Sequence, residues 1–159
     1  MRIIAWVGIV ALLIDQIAKY WVVHVMELAR RRAIDIYPPY LNYRYGENRG
    51  INFGLLSGET TWMRWVLIAF SLVVCGAVLT WLWRLRPGWP MQISAGLLIG
   101  GALGNVLDRL YYGYVLDFLN MSCCGLNNPF VFNLADVFIF VGALGLIVFE
   151  ARHRRQNAP

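Results

Sequence analysis

The chain has 159 residues, 59% hydrophobic and 14% charged, with a net charge of +5 and a mean hydropathy of +0.55. Soluble domains are about a quarter charged and about half apolar, so this composition excludes an ordinary soluble domain and a disordered chain and points to a membrane protein. The arginines sit in short clusters at the ends of apolar runs, which argues against a nucleic-acid partner; Cys75, Cys123 and Cys124 make neither a disulfide framework nor a zinc spacing.

Four apolar runs approach the length of about 20 residues that a bilayer-crossing helix needs. They predict spans over about 3–26, 62–83, 91–108 and 132–149 of one integral membrane domain, 1–159. The uncharged stretch Ile3 to Ile14 resembles the core of a signal peptide, but no small-residue cleavage site follows it and three more spans do, so a retained anchor is expected. Further along this span, Asp15 and Lys19 fall at i and i+4 on one helix face, the spacing of an intrahelical ion pair.

The loop after the first span holds Arg30, Arg31 and Arg32, a patch suited to lipid phosphates. From Tyr40 to Tyr45, Leu41, Tyr43 and Tyr45 alternate with Asn42 and Arg44; Ile51, Phe53 and Leu55 alternate with Asn52 after the turn residues Gly46 to Gly50. This pattern predicts strand, turn, strand. In the third span Gly96, Gly100 and Gly104 recur every four residues, a row for close helix packing, and its end places Asn105 and Arg109 on one face beside Asp108. A short apolar run, Tyr114 to Leu119, precedes the breaker-rich Asn120 to Pro129, and a small antiparallel sheet on the outer membrane surface is expected from these loops.

Four spans put both termini on one side. Arg2, Arg84, Arg86, Arg152, Arg154 and Arg155 then balance Arg30, Arg31, Arg32, Arg44, Arg49 and Arg109 on the other. The positive-inside count is a tie; the compact clusters at the termini favour placing them in the cytoplasm.

Ionisable groups within or at the rim of spans are costly and mark function. Asp117 and Asp136 are expected on the same side of the membrane, at the outer interface. Asp136 alone could simply complement a helix dipole. Together the two aspartates form a candidate dyad sharing one proton, an arrangement able to hydrolyse a peptide bond with water as nucleophile. No serine or cysteine has a histidine suitably placed: His24 is at an interface and His153 in the basic tail, so structural or incidental roles are expected for Cys123 and Cys124. Two rivals are a magnesium-dependent lipid phosphotransferase using Asp108, Asp117 and Asp136, which lack the tight spacing usual for such a site, and an ion-carrying subunit, which would need acids at several depths.

Five segments also carry a resemblance. Asp15-Gln16-Ile17-Ala18-Lys19, Glu47-Asn48-Arg49-Gly50-Ile51-Asn52-Phe53-Gly54, Gly104-Asn105-Val106-Leu107-Asp108-Arg109, Gly113-Tyr114-Val115-Leu116-Asp117-Phe118 and Phe132-Asn133-Leu134-Ala135-Asp136 resemble, in order, the motif series of bacterial lipoprotein signal peptidase, signal peptidase II. The resemblance covers all four spans and both outer loops. It implies an aspartyl endopeptidase of the inner membrane that cuts diacylglyceryl-modified prolipoproteins just before the lipidated cysteine. It puts the catalytic pair on Asp117 and Asp136, and supporting positions around substrate and dyad on Asn48, Asn105, Arg109 and Asn133. Asp15, Lys19, Gly50, Asp108, Gly113 and Ala135 match motif positions of mainly architectural kind. The implied partners are lipid-modified prolipoproteins and membrane lipids, for a monomer with no metal or cofactor. Ile51 and Asn52 stand where the family commonly has small residues, a departure that touches the loop and not the dyad.

Overall fold

A computed structural model describes residues 1–50, 61–125 and 128–156. Among these described residues, four helices are long and apolar enough to cross a membrane: Arg2–Val25, Trp62–Leu85, Trp89–Tyr111 and Leu134–Arg152. In chain order, α1 is Arg2–Tyr20, continued by a π-helical stretch Trp21–Val25; α2 is the single turn Leu28–Arg31; β1 is Ala33–Tyr37 and β2 Leu41–Asn48; α3 is Thr61–Leu85 and α4 Trp89–Tyr111; β3 is Val115–Asn120 and α5 Leu134–Gln156.

The fourth span starts at Leu134 and not at 132, because Phe132 pairs as a β-bridge with Leu119 and holds the preceding residues extended. The third starts earlier than its apolar run, at Trp89, with Pro90 in the first turn, where its missing N–H costs nothing.

The expected small sheet is present, with strand order β1-β2-β3 and both pairings antiparallel. Its composition differs from the sequence pattern in two ways. Gly46 to Asn48, read as turn residues, continue β2 and pair with β3, Gly46 opposite Asp117 and Asn48 opposite Val115. The partner on the other side is β1, whose register sets Ala33 against Arg44 and Tyr37 against Leu41. The strand expected at Ile51 to Leu55, with the unusual Ile51 and Asn52, lies outside the described residues.

The central helix is α4: two thirds of its most apolar window, 67%, is buried, against 17 to 22% for the other spans. The remaining apolar surface faces outward as lipid-facing residues do, with Trp6, Phe70, Val73, Phe140 and Ile147 all more than 60% exposed. The predicted glycine row does pack a helix. A Cβ on Gly100 would collide with Gly8 of α1, and one on Gly96 would strike Val7. Gly101 on the opposite side lies against Ala135, while Gly142 and Gly145 of α5 close on Leu98 and Ser94. Without a hydrophobic drive between helices in lipid, this close approach supplies the dispersion contacts that hold α1 and α5 to α4. It also fixes height: Gly104 lies so close to α1 that its Cβ would come 2.8 Å from Asp15 Oδ2.

Candidate active site

The site is built where β3, the head of α5 and the last turns of α4 meet. Backbone bonds from Phe118 and Leu119 to Phe132 O, and from Phe132 to Leu119 O, tie β3 to the segment entering α5. Asn133 follows, completely buried, at the N-cap of α5. Its Oδ1 accepts the Asp136 N–H at 2.9 Å, and Asp136 Oδ2 accepts the Asn133 N–H at 3.2 Å, a reciprocal capping box. Asp136 therefore does have the structural task that its place in the first turn suggests.

That task uses one carboxylate oxygen. The other, Oδ1, accepts a bond of 2.9 Å from Asn105 Nδ2. Asn133 Nδ2 meanwhile donates to Asp117 Oδ1 at 2.6 Å, and contacts Leu116 O and Asn105 Oδ1 at 3.3 Å each. Asn133 thus bonds both aspartates, and the two sequence-predicted acids belong to one hydrogen-bonded cluster.

Asp117 lies outside the spans, on β3, only 5% exposed. Burial raises its carboxyl to about 7, with the Asp136 charge adding to the shift and bonds from Asn133 and Asn48 opposing it. A carboxyl raised in this way costs stability as pH rises. Between pH about 4 and about 7 the unfolded chain has released this proton while the folded one retains it, and above that the full penalty applies. Asp117→Asn should consequently raise the thermal unfolding temperature at pH 8 and leave it little changed at pH 4. Equal shifts at both values would remove the burial argument.

The supporting positions gather around the pair. Asn48 accepts the Gly50 N–H on Oδ1 at 3.1 Å, and it is near enough to Asp117 to favour that residue's ionised form. Gly50 has φ +94°, and a Cβ there would strike Leu67 Cδ1 at 2.7 Å, so this motif glycine is required by both backbone and space. Gly113, with φ +89°, makes the turn from α4 into β3. Arg109 donates to Asn105 O at 3.4 Å, within electrostatic reach of Asp136, Asp108 and Asp117. Its remaining donors suit carbonyl oxygens of a bound chain.

The motif acids and base of α1 and α4 form a second, buried layer. Lys19 Nζ is 2.7 Å from Asp15 Oδ2, as the spacing predicts, and equally 2.7 Å from Asp108 Oδ2. Asp15 Oδ1 accepts the Ala135 N–H at 2.8 Å and Asp108 Oδ2 the Leu116 N–H at 3.1 Å. This triad bolts α1 and α4 to the residues preceding Asp136 and Asp117. Gln16, visible in the sequence only as a member of the first motif segment with no role of its own, bonds Asp108 Oδ1 through Nε2 at 2.9 Å. With both Asp108 oxygens occupied in this way, the third ligand of the magnesium rival is already engaged. Among the described residues no group of three His, Cys, Asp or Glu is arranged for a metal. Cys123 and Cys124 are exposed free thiols, and Cys75 is buried in the bundle.

Comparison with known proteins places the chain in a family. The model described as signal peptidase (SPase) II matches residues 7–152. Relatives named lipoprotein signal peptidase include one from Trichormus variabilis, 38% identical over 90% of this chain and 86% of its own length. Another, from Rhodopseudomonas palustris, is 39% identical over 88% and 86%; one from Aeromonas hydrophila is 34% identical over 97% and 92%. A bacterial membrane enzyme solved in meso at 2.3 Å superposes with a TM-score of 0.75 at 25% identity, over 100% of this chain and 93% of that one.

Proposed function

The chain belongs to the signal peptidase II family, a multi-pass membrane protease of lipoprotein processing, and from that premise we propose that it cuts diacylglyceryl-modified prolipoproteins before the lipidated cysteine, using water activated by Asp117 and Asp136. The observation that carries the dyad is Asn133, which bonds both carboxylates at the head of the bundle.

The pair holds one proton between them and titrates as a unit, with burial raising the Asp117 carboxyl. One carboxylate takes a proton from the water as it attacks the scissile carbonyl. The protonated partner hydrogen-bonds the developing oxyanion, and protons then pass to the leaving amine. Asn105 and Asn133 hold the acids in place, and Arg109 and Asn48 orient the substrate backbone. The signal helix packs in a groove between spans with the acyl chains still in the bilayer. The termini lie in the cytoplasm, and the sheet and dyad at the periplasmic face of the inner membrane. The enzyme acts as a monomer without metal or cofactor.

A site at the membrane rim selects one bond only if its substrate is anchored at a fixed depth, and each buried methylene of the lipid contributes about 0.8 kcal/mol to that anchor. An unlipidated prolipoprotein should show kcat/KM lower by at least about ten-fold at the same bond. Equal cleavage of the two forms by purified protein in detergent would refute the substrate assignment.

A further inference from the structure

Arg64 occupies the first turn of α3, where a cation opposes the positive end of the helix dipole. Among the described residues it pairs with no carboxylate, and its Nε is buried without a hydrogen-bond partner. A buried donor left unpaired is expensive, and since Nε has no open surface, a ligand of Arg64 must meet the terminal nitrogens of this half-buried side chain. The guanidinium is not loose: it stacks on the Trp65 ring, 4.9 Å from the centroid, and its Nη1 would lie 3.5 Å from a Cβ on Gly113.

Two further facts say what could satisfy it. Trp62 and Trp65, both 52% exposed, flank Arg64 at the end of an apolar span, which sets its depth at the interfacial belt. Glycerol esters and phosphates lie at that depth. The same turn of α3 also forms part of the site: Met63 and Leu67 crowd Gly50, which follows Asn48, while Gly113 leads into the strand of Asp117.

We propose that Arg64 is a lipid-recognition residue whose guanidinium binds an oxygen of an acylglycerol group at the mouth of the site. The inference rests on the reading of the substrate as diacylglyceryl-modified. The chemistry is that of a planar donor fork facing uncharged or anionic oxygens, with the indole fixing its plane. The oxygen is either an ester carbonyl of the substrate's own lipid or a phosphate of a neighbouring phospholipid.

The test compares a prolipoprotein carrying ester-linked chains with one whose chains are ether-linked. Both are cleaved in dodecyl maltoside without phospholipid, and again with phosphatidylglycerol added. For the ester substrate, Arg64→Met should raise KM about ten-fold, the loss of one charge-assisted hydrogen bond, with kcat within about two-fold of wild type. Arg64→Lys should fall between them, and provides the comparison if the methionine variant folds poorly. If the substrate's carbonyl is the ligand, the effect appears without phospholipid and is absent with ether linkages. If a phospholipid phosphate is the ligand, it appears only with phosphatidylglycerol and equally for both substrates. An unchanged KM in both media, or equal losses for ester and ether substrates without phospholipid, overturns the proposal. Wild-type protein that cleaves neither substrate overturns the function on which it rests.

Discussion

Asp117→Asn and Asp136→Asn should each abolish most prolipoprotein cleavage, lowering kcat by about 10²–10⁴-fold, the contribution of general acid–base groups of this kind. The asparagines change size little but cannot exchange the protons that attack and departure require. Their folding consequences should differ. At position 117 the amide oxygen can still accept from Asn133 Nδ2, and a buried titrating group is gone. At position 136 the carboxylate accepts from both the Asn133 N–H and Asn105 Nδ2, and an amide has one oxygen to serve them. Asp136→Asn should therefore be the less stable variant although both lose most of their activity. Because the two acids work on one water, the double variant should be scarcely slower than either single one. Excess chelator should leave wild-type turnover intact. Activity lost to chelator and restored by magnesium, or a folded single variant that still cuts at close to the wild-type rate, rejects the dyad.

The parts of the site legible in the sequence were those where chemistry and local breakers coincide. Asp117 follows a glycine turn and Asp136 opens an apolar helix, so the span count alone predicts both at the same end of the bundle. The links between elements were less visible. Nothing in the spacing of Asp15 and Lys19 announces Asp108, because that contact depends on how closely the glycine row lets α1 approach α4. The first strand was hidden for another reason: β1 is exposed along nearly its whole length, with only Ile34 partly buried, so no alternation of buried and exposed faces shaped its residues. Gly46 is a strand breaker by local tendency, but pairing with β3 overrides that tendency and keeps it extended. Arg64 carried no sequence signal beyond the tryptophans beside it; its unpaired state is a property of the packed structure.

Lys19→Met should be the most destabilising single change in the helical bundle. The substitution retains the length and apolar stem of the side chain and removes the cation, leaving Asp15 and Asp108, 0% and 1% exposed, facing each other without a counter-charge. Removing one partner of a buried ion pair costs about 3–5 kcal/mol, and here two carboxylates lose theirs. The same principle forecasts the rescue, since a buried ionic cluster is often replaceable as a whole at little cost. In the triple variant Asp15→Asn, Lys19→Met, Asp108→Asn, each asparagine keeps an oxygen for its backbone donor, Ala135 N–H in one case and Leu116 N–H in the other. Gln16 can rotate its carboxamide to accept from position 108. Thermal unfolding in detergent should place the triple variant well above Lys19→Met, with measurable cleavage, because Asn133 still holds Asp117 and Asp136. If the triple variant is no more stable than the single one, the charges themselves and not merely their imbalance are required, and the architectural reading of this layer fails. If it is stable yet inert, Lys19 contributes to the chemistry through its 3.4 Å contact with Asn105 Oδ1.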